Sequence, residues 1–126
     1  DVNNNFQELH KIKAKVTVMY FWEPNCSHCK RVTPVLKDLH EKYKSKGLEV
    51  FAVYTQGEEP AWKDYVKKNS LNWVNVWDPY RVTNYHKLYD IYSTPIIYIL
   101  DYNKTIIAKR IGVESVERFI EQELKL

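Results

Sequence analysis

Val16-Thr17-Val18-Met19-Tyr20-Phe21-Trp22-Glu23-Pro24-Asn25-Cys26-Ser27-His28-Cys29 runs from an almost unbroken apolar stretch, through a polar turn, into two cysteines three positions apart. Val16 to Trp22 is β-branched and aromatic, which suits a strand buried on both faces of a parallel sheet. Glu23-Pro24-Asn25 ends it. The next apolar positions, Val32, Val35, Leu36, Leu39 and Tyr43, step by three and four and predict a helix that stops near Gly47. Both cysteines therefore fall where a buried strand turns into a helix N-terminus.

The rest of the chain alternates in the same way. Asn5 and Glu8 suggest a capped lead-in turn with Phe6, Leu9 and Ile12 on one side. Leu48 to Tyr54 reads as a second strand. Pro60 suits the first position of a helix carrying Trp62, Tyr65 and Val66. Trp73 to Trp77 reads as a third strand, and Tyr85, Leu88 and Tyr89 line a short helix. Ile96 to Leu100 and Thr105 to Ile111 form a hairpin through Asp101-Tyr102-Asn103-Lys104, and Val116, Phe119, Ile120 and Leu124 mark a closing helix. The class is α/β: a central mixed sheet flanked by helices, with parallel crossovers and one antiparallel edge pair.

Composition narrows the function classes. With 126 residues the chain is expected to form a single domain, 1–126, able to bury roughly two-thirds of its unfolded surface. Three Gly and five Pro, with 44% apolar residues, exclude collagen-like and disordered classes. The net charge of +3 comes from lysines alternating with acids rather than from a basic stripe, so no nucleic-acid partner is expected. Val16 to Trp22 is far short of the roughly 20 residues that span a bilayer. The chain shows no signal peptide and opens on Asp1 without an initiator Met, as a processed chain or excised fragment would.

Cys26-Ser27-His28-Cys29 carries the chemistry. Helical residues three apart have Cβ atoms about 5 to 6 Å apart, close to disulfide distance. Unpaired N–H groups and the positive helix end favour thiolate over thiol, and a strand-to-helix turn lies at the sheet end where open α/β folds bind ligands. A structural staple is one alternative, but a four-residue loop restrains the unfolded chain by only about 2 kcal/mol. A zinc site is another. It needs four ligands as a rule, and His10, His40 and His86 are scattered singly, so neither metal nor bound cofactor is expected. Redox catalysis and a reactive pair on a binding module remain.

Phe21 to Lys30, with Pro34 eight positions after the first cysteine and Thr94-Pro95 before a strand, resembles the thioredoxin superfamily. The extra helix and strand between Pro60 and Trp77, then Asp78, Tyr89 and Tyr92 leading into Thr94-Pro95, look like its TlpA/ResA-type branch of cell-envelope thiol-disulfide oxidoreductases. The resemblance spans about Lys15 to Glu123 and includes Gly112. It implies a thioredoxin-like fold with a helix-strand insertion in mid-chain, Cys26 as the attacking cysteine, Cys29 as the resolving one, and Pro95 as a cis-proline facing them. It also implies protein disulfide or dithiol substrates, a redox partner protein, no cofactor, and a bacterial envelope location on the periplasmic side, with membrane tethering through a segment outside this chain.

The resemblance places Ser27, His28, Trp22, Glu23, Pro24 and Thr94 around the cysteines as tuning or groove residues. Thr94 is expected to offer backbone groups to an extended substrate. Trp22 is either core or a shield beside the disulfide, and Pro34 should bend the helix by removing a hydrogen bond from the Lys30 carbonyl. Thioredoxins proper carry a buried Asp where this chain has Tyr20, which leaves Glu23 as the nearest acid. His28 can stabilise a Cys26 thiolate by charge or hydrogen bond, making the disulfide more oxidising. Two other functions stay in view: a redox-inert binding module, and a thiol peroxidase, whose usual Thr three residues before the reactive cysteine is here Glu23.

Overall fold

The computed structural model describes residues 9–56, 59–78, 85–89 and 93–125. The lead-in turn expected over Asn5 to Glu8 lies outside them, as does Tyr92; a short 3-10 turn covers Leu9–Lys11. Nine elements follow in chain order: β1 Val16–Trp22, α1 Ser27–Tyr43, β2 Leu48–Tyr54, α2 Glu59–Lys68, β3 Val74–Trp77, α3 Tyr85–Leu88, β4 Ile96–Leu100, β5 Ile106–Lys109 and α4 Val116–Leu124.

The sheet order is β3-β2-β1-β4-β5. β1 lies at its centre, which is why all seven of its residues are buried. It pairs in parallel with β2, from Val16 against Leu48 to Trp22 against Tyr54. It pairs antiparallel with β4, Phe21 standing opposite Ile96. The antiparallel character is thus not confined to an edge pair: β4 enters beside the central strand, and only β5 forms the edge of the hairpin. The turn between them is held by Asp101, whose Oδ1 accepts the N–H groups of Asn103 and Thr105 at 2.9 and 3.0 Å.

Alternation along β1 sorts the core. Val16, Val18, Tyr20 and Trp22 join α1, α2 and α4 in one cluster, with Leu36, Trp62 and Ile120 fully buried there. Met19 and Phe21 face the other way, toward Phe51, Tyr85 and Tyr98. α1 buries an arc formed by Cys29, Val32, Thr33, Leu36, Leu39, His40 and Tyr43. Val35, expected on that face, is 42% exposed. It sits about 100° round the axis from Leu36, outside the arc. Leu88 is likewise 71% exposed rather than part of the packed face of α3.

β3 begins one residue later than expected because pairing with β2 starts at Val74 against Phe51. β5 is shorter at both ends, since its pairing runs only from Ile106 to Lys109. α1 passes through Pro34 and gives way to a 3-10 turn, Lys44–Lys46, capped by Gly47 at φ +119°. Only glycine adopts that backbone readily, and a Cβ there would meet the Lys15 side chain at 2.9 Å.

Candidate active site

The C-terminal end of β1 is fixed from the β2 side. Thr55 donates its N–H and its hydroxyl to the Trp22 carbonyl, each at 3.1 Å. The chain then turns, with the Cys26 N–H donating to the Glu23 carbonyl at 3.3 Å. Glu23 Oε2 accepts the Asn25 N–H at 3.3 Å. That turn delivers Cys26 as the N-cap of α1, and its Sγ accepts the backbone N–H of Cys29 at 3.1 Å. A cysteine occupies the place where Ser, Thr or Asp usually satisfies the orphan donors of a helix end.

The antiparallel β1–β4 register brings in the third component. Because Phe21 faces Ile96, the residues before Ile96 lie beside those after Phe21. The Cys26 thiol accordingly donates to the Thr94 carbonyl at 3.5 Å. The Thr94–Pro95 peptide is cis. Cys26 is partly exposed and Cys29 is 1% exposed, and both are free thiols. Burial above all, and then the hydrogen bond with Cys26, push the Cys29 thiol up to about 12. Glu23 opposes that shift only through its main chain.

The other expected residues divide. Ser27 and His28 are exposed on the first turn of α1, while Thr94 and Pro95 are half-buried beside Cys26. Trp22 is wholly within the core, stacked on Tyr20 at 6.0 Å with Tyr65 at 5.5 Å. Its side chain therefore packs behind the cysteine loop and forms no groove wall. Pro24 is buried as well. Two residues with no assigned role in the sequence reading stand directly behind Cys29: Tyr20, whose hydroxyl lies 2.8 Å from Thr33 Oγ1 and 3.5 Å from the Cys29 carbonyl, and Thr33 itself. The i to i+4 spacing of Cys29 and Thr33 was the available signal. Among the described residues, no three His, Cys, Asp or Glu side chains are grouped to hold a metal ion.

A family model described as thioredoxin-like matches residues 14–119. The chain belongs to the thioredoxin-like family. Among its curated relatives, a thiol-disulfide oxidoreductase ResA of Bacillus cereus is 28% identical over 94% of this chain and 67% of its own length. A ResA of Bacillus thuringiensis is 27% identical over 99% of this chain and 70% of its own length. A solved domain from Cytophaga hutchinsonii, described as a "possible thiol-disulfide isomerase", is 37% identical and superposes with a TM-score of 0.89, covering 99% of this chain and 86% of that one. A thiol:disulfide interchange protein from Bacteroides sp. reaches the same TM-score at 26% identity, covering 100% of this chain and 84% of that one. This thioredoxin-like chain is an oxidoreductase of the thiol-disulfide class. Its five-stranded mixed sheet flanked by helices is the thioredoxin-like fold.

Proposed function

We propose that the chain exchanges a Cys26–Cys29 dithiol or disulfide with protein substrates through a mixed disulfide. The observation that carries this reading is the asymmetry of the pair: a partly exposed Cys26 sulfur receiving the Cys29 N–H at 3.1 Å, with the Cys29 thiol buried behind it. In the reducing direction the Cys26 thiolate attacks one sulfur of a substrate disulfide. That S–S bond breaks, its other sulfur leaves as a thiolate and takes a proton from water, and Cys26 is joined to the substrate. Cys29 then loses its proton to water and attacks Cys26 Sγ. The Cys26–Cys29 bond forms, the second substrate thiolate leaves, and two electrons have passed to the substrate. The reverse sequence oxidises a substrate dithiol.

Thr94 gains a role as this proceeds. Its carbonyl receives the Cys26 thiol in the free reduced protein. Once Cys26 has no proton to give, that carbonyl is available to the backbone N–H of an extended substrate. The substrates are protein disulfides or dithiols, and a second redox protein resets the pair. The likeness to ResA supports an extracytoplasmic location. No helix among the described residues is long and apolar enough to cross a membrane.

Turnover of insulin disulfides with dithiothreitol as reductant tests the exchange reading. Wild-type protein should accelerate insulin precipitation and Cys26→Ala should not. Equal background rates for the two would leave the redox-inert binding module as the better description.

A further inference from the structure

The resolving step poses a physical problem. A thiol pushed up to about 12 is almost entirely protonated at neutral pH, and Cys29 must become a thiolate before it can attack Cys26. A buried thiolate is costly unless a donor meets it. The groups that act most strongly on the Cys29 thiol are Cys26, the Glu23 main chain and Thr94, and the thiol in turn acts on Tyr20 and Tyr65. The Glu23 carboxylate is engaged by the Asn25 N–H.

Tyr20 is the group placed to act. It is fully buried on the central strand, on the face that packs against α1. Its hydroxyl has two neighbours of unequal quality: Thr33 Oγ1 at 2.8 Å, a strong contact, and the Cys29 carbonyl at 3.5 Å, near the limit of a hydrogen bond. Thr33 is itself 2% exposed and follows Cys29 by one turn of the same helix. If Thr33 donates to the phenolic oxygen, the Tyr20 O–H is left with only the long carbonyl contact. In that arrangement it is a donor without a good acceptor, beside a thiol that must become anionic.

We infer that the Tyr20–Thr33 hydroxyl pair is a neutral positioning device for the second half of the exchange: Thr33 orients Tyr20, and Tyr20 donates its O–H to the Cys29 thiolate as it forms. Burial, chiefly, raises the Tyr20 phenol far above the usual range, so it stays protonated and acts as a donor throughout the working pH range, never as a base. The proton leaves Cys29 for water and the Tyr20 proton stays on its oxygen. Charge-assisted hydrogen bonds are the stronger class, so the interaction is weak while Cys29 is a thiol and strong only in the step that needs it.

The inference rests on the exchange reading, and a two-phase reaction with the aryl disulfide 5,5′-dithiobis(2-nitrobenzoate) separates the two. Attack by Cys26 releases one coloured aryl thiolate and leaves an aryl mixed disulfide; attack by Cys29 releases the second and closes Cys26–Cys29. Tyr20→Phe should release the first equivalent at the wild-type rate and the second about ten-fold more slowly. Its second-phase pH profile should move about one unit upward. Thr33→Val should slow the second phase less, and Thr33→Ser should restore it. A wild-type protein lacking the second phase would overturn the exchange reading. A wild-type second phase that Tyr20→Phe leaves unchanged in rate and pH profile would overturn this inference alone. So would equal slowing of both phases, the mark of a packing defect.

Discussion

The backbone N–H of Cys29 donates to the Cys26 sulfur at 3.1 Å, so the reactive cysteine also caps the helix that carries its partner. Cap and nucleophile share one atom, which ties the stability of the first turn of α1 to the chemistry. Cys26→Ser keeps an N-cap acceptor and should unfold within about 0.5 kcal/mol of the reduced wild type. Cys26→Ala removes it and should cost about 1 kcal/mol. Urea unfolding at constant m reads both; equal midpoints for Ser and Ala would mean that the sulfur contact is not a cap.

Exposure separates the two thiols. Cys26 is partly accessible and Cys29 is 1% exposed with its thiol pushed up to about 12. In the reduced protein, iodoacetamide at pH 7 should modify Cys26 at least ten-fold faster, because the thiolate is the nucleophile. Mapping by mass spectrometry that finds Cys29 alkylated first would reverse the assignment of attacking and resolving roles.

How far the sequence showed this arrangement depends on what each feature requires. β1, β2 and β4 were legible to the residue, since a strand buried on both faces is apolar at nearly every position, Thr17 and Glu49 being the exceptions here, and its ends are marked by polar turns. The start of β3 and both ends of β5 were not, because the partner strand sets them: Val74 and Ile106 begin where Phe51 and Leu100 offer pairing. Cys26 and Cys29 were legible because the motif is local. The Tyr20–Thr33 contact joins a strand to a helix 13 residues later, and no local pattern shows it. The burial of His40 is hidden from the sequence for a similar reason: it rests on a 3.0 Å contact between α1 and Glu49 of β2, which compensates the polarity of the ring.

The buried thiol predicts a pH signature. Cys29 rises from 9.0 in the ordinary thiol to about 12 in the fold, first through burial. A raised acid favours the folded state at pH below its unfolded value, and that contribution is lost as pH climbs through the folded value. The reduced protein should therefore lose stability between about pH 9 and 12. Cys29→Ala should show a shallower decline over the same window, isolating the thiol from the lysines that titrate in both proteins. Parallel curves would show that the Cys29 proton is not held more tightly in the fold.

Two buried tryptophans should respond differently to the same change. Trp62 stacks on Tyr54 at 5.6 Å, and its Nε1 has no hydrogen-bond partner among the described residues. Trp73 Nε1 donates to Asn75 Oδ1 at 2.9 Å, and the Asn75 amide in turn donates to the carbonyls of Leu71 and Trp73. Both Phe variants lose ring volume. Trp62→Phe also removes an unsatisfied buried donor, worth about 1 to 3 kcal/mol, whereas Trp73→Phe leaves the Asn75 oxygen without its partner. Trp73→Phe should be the more destabilising by about 1 to 3 kcal/mol in urea unfolding. A larger loss for Trp62→Phe would mean that stacking on Tyr54 outweighs the hydrogen-bond difference.

Redox poise joins the site to the direction of electron flow. The resemblance to the TlpA/ResA-type branch implies a reductant, while features that stabilise the Cys26 thiolate make the disulfide a better oxidant. Two such features are present: the Cys29 N–H on the Cys26 sulfur and the sulfur's place at the positive end of a 17-residue helix. His28, exposed on the first turn of α1, is the neighbouring side chain expected to add to them. These donors act on the reduced form and should raise the potential above that of thioredoxin, near −270 mV, to roughly −200 to −240 mV. The Ser27-His28 dipeptide is the element open to substitution without disturbing the cap. His28→Pro should lower the potential by about 30 mV or more, a shift of about 1.4 kcal/mol for two electrons. Equilibration against glutathione measures both values. A wild-type potential at or below −270 mV would show that the scaffold outweighs these donors. An unchanged His28 variant would assign the poise to the cap hydrogen bond and the helix end, where the Cys26 sulfur is bound most closely.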